Sequence, residues 1–255
     1  MVGTVNVSIS VASVVAVLIL WQVSSGWLID PFFLPSPVSV VAALWEMAVD
    51  GTMAQSVGIS VYRIMAGWLL GSAVAVPLGL LVGTFRPVQS LFDPFVHFFR
   101  FIPAIALVTL FIVWFGIGEV SKILLIAYAT GFTVLVNTAS GIGAIAQDKV
   151  DAARCLGADR VQVFFRVIFP ASLPNIYVGM RLALANSFLV IVAAEMLAAN
   201  SGLGYLIWNS RLFFRIDLMF GAIVLLGLLG FLADRMMRVI GKATMERYLR
   251  DVLKY

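Results

Sequence analysis

Apolar residues fall along this chain in long runs, not in the short alternations of a soluble domain. Six runs stand out: Val7–Ile29, Ser60–Val82, Ile102–Ile117, Ile123–Ala146, Tyr177–Ala199 and Leu218–Ala233. A helix of about 20 apolar residues crosses a hydrocarbon core roughly 30 Å thick. The pattern therefore predicts about six transmembrane helices, with the third and sixth short for a full crossing. The first run has no basic leader and is long enough to span, so it reads as a retained helix and not a cleaved signal. After it, Ser36-Pro37 forms a helix start. Val38, Val41, Leu44, Trp45 and Ala48 follow at helical spacing. They predict a short amphipathic helix that either lies at the outer membrane surface or packs on the bundle.

Within the second run, Gly67, Gly71, Ala75, Gly79 and Gly83 recur every four residues. That spacing puts them on one helix face. A face of small residues lets another helix backbone approach closely, either within the subunit or between subunits. Pro77 in the same run predicts a bend.

Composition agrees with the pattern. Hydrophobic residues make up 62% of the chain and charged residues 12%, with a mean hydropathy of +1.05. A soluble domain carries roughly a quarter charged residues. The chain is thus an all-α polytopic membrane protein, with residues 1–255 forming one transmembrane domain. The formal charge of +4 reads as loop charges that set orientation, and gives no reason to invoke nucleic acid. With the N-terminus inside, the inner loops and tail hold Arg86, Arg100, Lys149, Arg154, Arg160, Arg166, Arg235, Arg238, Lys242, Arg247, Arg250 and Lys254. The outer loops hold Lys122, Arg211 and Arg215, while Arg63 and Arg181 lie near span ends and are not counted. The positive-inside rule then places both termini in the cytoplasm. The tail from Arg235 to Tyr255 reads as a basic helix on the cytoplasmic surface.

Catalytic chemistry is hard to find. Cys155 is the one cysteine and His97 the one histidine, which argues against a disulfide or a Cys- or His-based metal centre. Gly241-Lys242 precedes Ala243 and lacks the rest of a phosphate-binding loop. His97 sits among Phe92, Phe95, Phe98 and Phe99, as a packed interfacial residue or a proton relay. Charges near the membrane are candidates for a pathway or gate. Glu195 is costly there unless it faces water or a partner; it reads as a pathway or gate residue, or as one half of a structural pair or a contact to the loop carrying Gly202 and Gly204. Arg181, and Arg100 beside Pro103, either attract an anion or snorkel to the surface.

One long break, Gln147–Asn175, interrupts the runs. Asp148 is placed to cap a first short helix, and Gly157 to end it. Asp159 is placed to cap a second helix with Val161, Phe164, Phe165 and Ile168 on one face. Pro170 is expected to stop that helix and Pro174 to prevent an early restart. Small residues Ala152, Ala153 and Gly157 would let a partner surface come close.

Asp151-Ala152-Ala153, Gly157 and Ile168-Phe169-Pro170 resemble the "EAA" loop of ABC importer permeases, with Asp for the usual Glu and Phe for a common Leu. Phe33-Leu34-Pro35-Ser36-Pro37, Arg100-Phe101-Ile102-Pro103, Trp114 to Glu119, Ser121-Lys122-Ile123, Ala194-Glu195-Met196 and Ser201-Gly202-Leu203-Gly204 occur in order. They resemble the nitrate/sulfonate/taurine/bicarbonate branch over nearly the whole chain. This likeness implies a type I, MetI-like architecture in a bacterial inner membrane. It implies a second permease copy, two cytoplasmic ATPases that bind ATP and Mg, and an external solute-binding protein. It also implies that Asp151, Ala152, Ala153, Gly157, Ile168 and Pro170 couple to the ATPase. The chain itself would hold no cofactor. A secondary transporter or channel is the alternative, and it predicts broken repeats or mid-span acids that the sequence does not display.

Overall fold

The computed structural model describes residues 2–249. Eleven helices follow in order among the described residues. They are α1 (Val2–Trp27), α2 (Pro37–Val49), α3 (Thr52–Thr84), α4 (Arg86–Phe99), α5 (Val108–Phe115), α6 (Glu119–Gly143), α7 (Gln147–Cys155), α8 (Arg160–Val163), α9 (Phe169–Ala198), α10 (Leu203–Leu212) and α11 (Ile216–Leu249). A 3₁₀ turn, Ala104–Leu107, precedes α5, and a π-helical turn, Phe164–Ile168, joins α8 to α9. Residues 250–255 of the expected basic tail lie outside the described residues; the part before them continues α11 as one helix.

Among the described residues, four helical stretches are long and apolar enough to cross a membrane: Thr52–Thr84, Glu119–Gly143, Arg160–Ala198 and Ile216–Thr244. The expected third span is not one straight helix. Arg86–Phe99 and Ala104–Phe115 meet at 84°, and the pair makes at most one broken span. Pro103 explains the break. It has no N–H to donate, disfavours helix at Ile102, and sits in extended backbone at φ −60°, ψ 127°.

The core is α3, α6 and α9. Val134, Ile126, Ile191 and Ala183 are fully buried where these helices meet. The small-residue ladder of α3 faces α6. A Cβ on Gly67 would lie 2.6 Å from Ile126 Cβ, and one on Gly79 2.6 Å from Thr138 Cβ. On Gly71 it would stand 2.6 Å from the Ala127 carbonyl oxygen, and on Gly83 2.9 Å from Ile142 Cβ. Ala75, the ladder's one methyl, is 3% exposed. The helix runs through Pro77 without interruption. Replacing Gly79 with Leu should push α3 off α6 and lower the melting temperature of the detergent-purified chain, since overpacking costs about 1–3 kcal/mol. Leucine at Gly58, where nothing lies within 4 Å, should leave it unchanged. Equal melting of the two variants would rule out this packing.

Helix α2 starts where expected, with Ser36 Oγ accepting from Ser39 N–H. The face turned to the bundle is Val40, Ala43 and Met47, however, and Val38, Val41 and Trp45 point outward. Two apolar stripes on one short helix fit an element between protein and lipid. Arg215 bridges Asp217 at 3.1 Å and Glu46 at 2.9 Å, fastening α2 to the start of α11. The hydrogen bonds it donates to them, that to Asp217 first, hold its guanidinium above the ordinary arginine range.

Candidate functional site

A cavity of about 800 Å³ opens beside the broken span. Phe99 to Ile105 form one wall, α6 another through Tyr128, Phe132, Thr133 and Asn137, and α9 a third through Asn186, Leu189 and Ala193. The break at Pro103 lies in this wall. Tyr128 holds the bend by donating its hydroxyl to the Phe99 carbonyl at 2.8 Å. Most of the lining is aromatic or aliphatic. Its polar side chains are Tyr128, Thr133, Asn137, Asn186 and Arg100, whose guanidinium lies 4.7 Å from the Phe101 ring centroid. Asn137 and Asn186 donate to backbone carbonyls of α6, at 2.8 and 3.5 Å.

Arg100 and Pro103 therefore line the cavity, while Arg181 and Glu195 do not. Arg181 donates to Asp234 Oδ1 at 2.5 Å and Oδ2 at 3.1 Å, tying α9 to α11. Arg238 completes the pair on Asp234 at 2.7 Å.

Glu195 is 0% exposed and belongs to a buried polar cluster. It accepts from Ser60 Oγ at 2.9 Å, Arg63 Nη1 at 2.7 Å and Gly204 N–H at 2.8 Å. Arg63 also donates through Nε and Nη2 to both oxygens of Glu119, each at 2.6 Å, and through Nη1 to the Ser201 carbonyl at 2.7 Å. Gly202, at φ +111°, has no Cβ where the Glu195 carboxylate sits. The loop seen in sequence thus packs on Glu195, but Ser60, Arg63 and Glu119 were not anticipated as its company. Their signal was opposite charges at the ends of separate apolar runs. Lys122 needs correction as well. Helix α6 begins at Glu119, so Lys122 is in its first turn, 4% exposed, donating to the Gly118 carbonyl at 3.1 Å. It is not an outer-loop charge.

The segment after α6 protrudes. Asp151, Ala152 and Gly157 are exposed and Ala153 partly so. Ala146, not Asp148, is the N-cap of α7, with Asp148 in the first turn. Gly157 ends the helix at φ +84°. Asp159 caps α8 in a reciprocal capping box with Gln162. Pro170 does not stop the second helix. The chain is helical from Arg160 to Ala198 because a π turn precedes Pro170: Phe169 N–H donates to the Phe164 carbonyl, five residues back. Such widening gives room to a proline ring that would clash with the carbonyl four residues upstream. Val163 is the buried residue of this element; Val161 and Phe165 are exposed. Ile168 and Pro170, both half-buried, stand where the segment enters the bundle. The described residues contain no group of His, Cys, Asp or Glu that could hold a metal ion.

Apolar spans around a side cavity, with a charged helical turn projecting at one end, define a membrane-embedded transport subunit. The protein belongs to the binding-protein-dependent transport system inner membrane component family, which matches residues 75–246. It is 33% identical over 241 residues to the taurine transport system permease protein TauC of Escherichia coli, covering 92% of this chain and 88% of that one. It is 29% identical over 233 residues to the nitrate import permease protein NrtB of Synechocystis, covering 88% and 84%. A structure of the MetNI methionine ABC transporter in inward-facing conformations has a chain of the same fold. Its TM-score is 0.65 at 19% identity, covering 81% of this chain and 96% of that one. The chain is thus the permease subunit of an ABC importer.

Proposed function

We propose that two copies of this chain, with α1 as a sixth span and both termini in the cytoplasm, form the pathway of an importer for a small oxyanion such as a sulfonate, taurine or nitrate. An external binding protein delivers the solute. Two cytoplasmic ATPases, which carry ATP and Mg, dock on Asp151, Ala152, Ala153 and Gly157, and their closure is passed on through Ile168 and Pro170. The residues 1–255 act as one transmembrane unit, with 147–175 as its coupling segment and 235–255 as a surface tail. The observation that carries this reading is the cavity walled by the broken span, with Arg100 at its edge. A guanidinium attracts an oxyanion, while the neutral Asn137, Asn186 and Thr133 let it leave again. Taurine and nitrate, in the names of TauC and NrtB, both present an oxyanion group, which supports this solute class. Arg181 and Glu195 act in this reading by holding α9 in place while the cavity opens alternately to either side.

The test is uptake of labelled taurine by vesicles holding the chain, its ATPase and its binding protein. Arg100→Gln should lower uptake roughly tenfold, the equivalent of about 1.4 kcal/mol, and leave ATPase assembly intact. Uptake that persists with no ATPase bound would overturn the reading in favour of a secondary transporter or channel.

A further inference from the structure

A second opening of about 500 Å³ lies between the end of α3 and the α7–α8 turn. Its lining is of two kinds. Leu81, Phe85 and Phe165 give it apolar walls, and each is itself exposed. Arg154 and Arg160 supply two guanidiniums. Arg160 has no carboxylate within ion-pair distance among the described residues, and Arg154 has only Asp151, at 3.5 Å with both side chains more than half exposed. The other nearby acid, Asp159, is occupied in capping α8. Helix α3, apolar and long enough to cross a membrane, ends at Thr84, beside this groove.

We propose that this groove binds an anionic phospholipid. Its phosphate is held by Arg154 and Arg160, and an acyl chain lies against Leu81, Phe85 and Phe165. The charge balance selects the anion. Walls of leucine and phenylalanine select a lipid over a free phosphate, which has no apolar part to bury. This site requires only that α3 spans the membrane, and so stands independently of the solute or the orientation of the chain. It joins the lipid to the segment proposed to meet the ATPase, so bilayer composition would bias that segment's position.

The test uses a phosphatidylglycerol with a photoreactive acyl chain, incubated with the purified chain alone and with its ATPase. Cross-links are mapped by mass spectrometry. Labelling is expected within residues 81–85 and 160–168, at least about fivefold above that from phosphatidylcholine of the same chains, in both preparations. The Arg154→Gln/Arg160→Gln double variant should lose that preference. Unchanged melting, or the single Arg160→Gln variant, guards against misfolding. Equal labelling by the two lipids, or a preference kept in the double variant, would overturn the site. Full displacement by inorganic phosphate would make it a free-anion site, and loss of labelling on ATPase binding would make it a protein contact; either overturns the lipid proposal.

Discussion

Arg63→Ala is expected to unfold this protein more readily than any other single truncation among its charged residues. The guanidinium is 2% exposed and stands between Glu119 and Glu195. Removing it leaves Glu195, which is 0% exposed, with only Ser60 and the Gly204 amide. Breaking a buried ion pair from one side costs about 3–5 kcal/mol, because the remaining charge is stranded away from water. The melting temperature in detergent should fall by roughly 10 °C. Arg63→Lys should not rescue it, since an ammonium cannot make the two-pronged contact to Glu119 and also reach Glu195 and Ser201. Adding Glu195→Gln to Arg63→Ala should recover part of the loss by removing the stranded charge. A single variant melting within about 2 °C of the parent, or a double variant worse than the single, would sink this account.

That cluster marks where sequence reading stops. Arg63 is 56 residues from Glu119 and 132 from Glu195, so no local spacing links them. Glu195 and its glycine-bearing loop were legible because Gly202 and Gly204 follow within ten residues. The rest needed the packing of α3, α6 and α9. Where the information is periodic, the sequence was sufficient. The α3 ladder repeats every four residues, and the same residues meet α6. Where a local rule can be relieved by neighbouring geometry, it misled. Pro170 was expected to stop a helix, but a π turn absorbs it. Pro103 lies in the third run, which reads as a span short for a full crossing; the bend that joins it to Arg86–Phe99 shows only in the fold. The cavity followed the same fate: Asn137, Asn186 and Thr133 are unremarkable in sequence and gain meaning only when the bend opens space beside them.

Gly157→Arg is expected to abolish ATP-driven uptake while leaving the chain folded, and the local geometry makes that separation possible. Gly157 ends α7 with φ +84°, a conformation that costs most L-residues roughly 1–2 kcal/mol. Nothing lies within 4 Å of where a Cβ would stand. An arginine therefore pays a modest local strain and meets no atom of its own chain. Its bulk and charge are presented outward, beside the exposed Asp151 and Ala152. If a partner surface closes over this turn, a central clash there costs about 2 kcal/mol or more, roughly a thirtyfold loss of affinity. Gly157→Asn separates strain from bulk, because asparagine tolerates the left-handed conformation with a short polar side chain. It should keep most of the uptake and of the ATPase recovered in pull-downs, whereas Gly157→Arg should lose both with a melting temperature lowered by only a few degrees. Equal uptake by the arginine variant would show that no partner closes over Gly157. Equal loss in both variants would trace the effect to the backbone turn and not to docking.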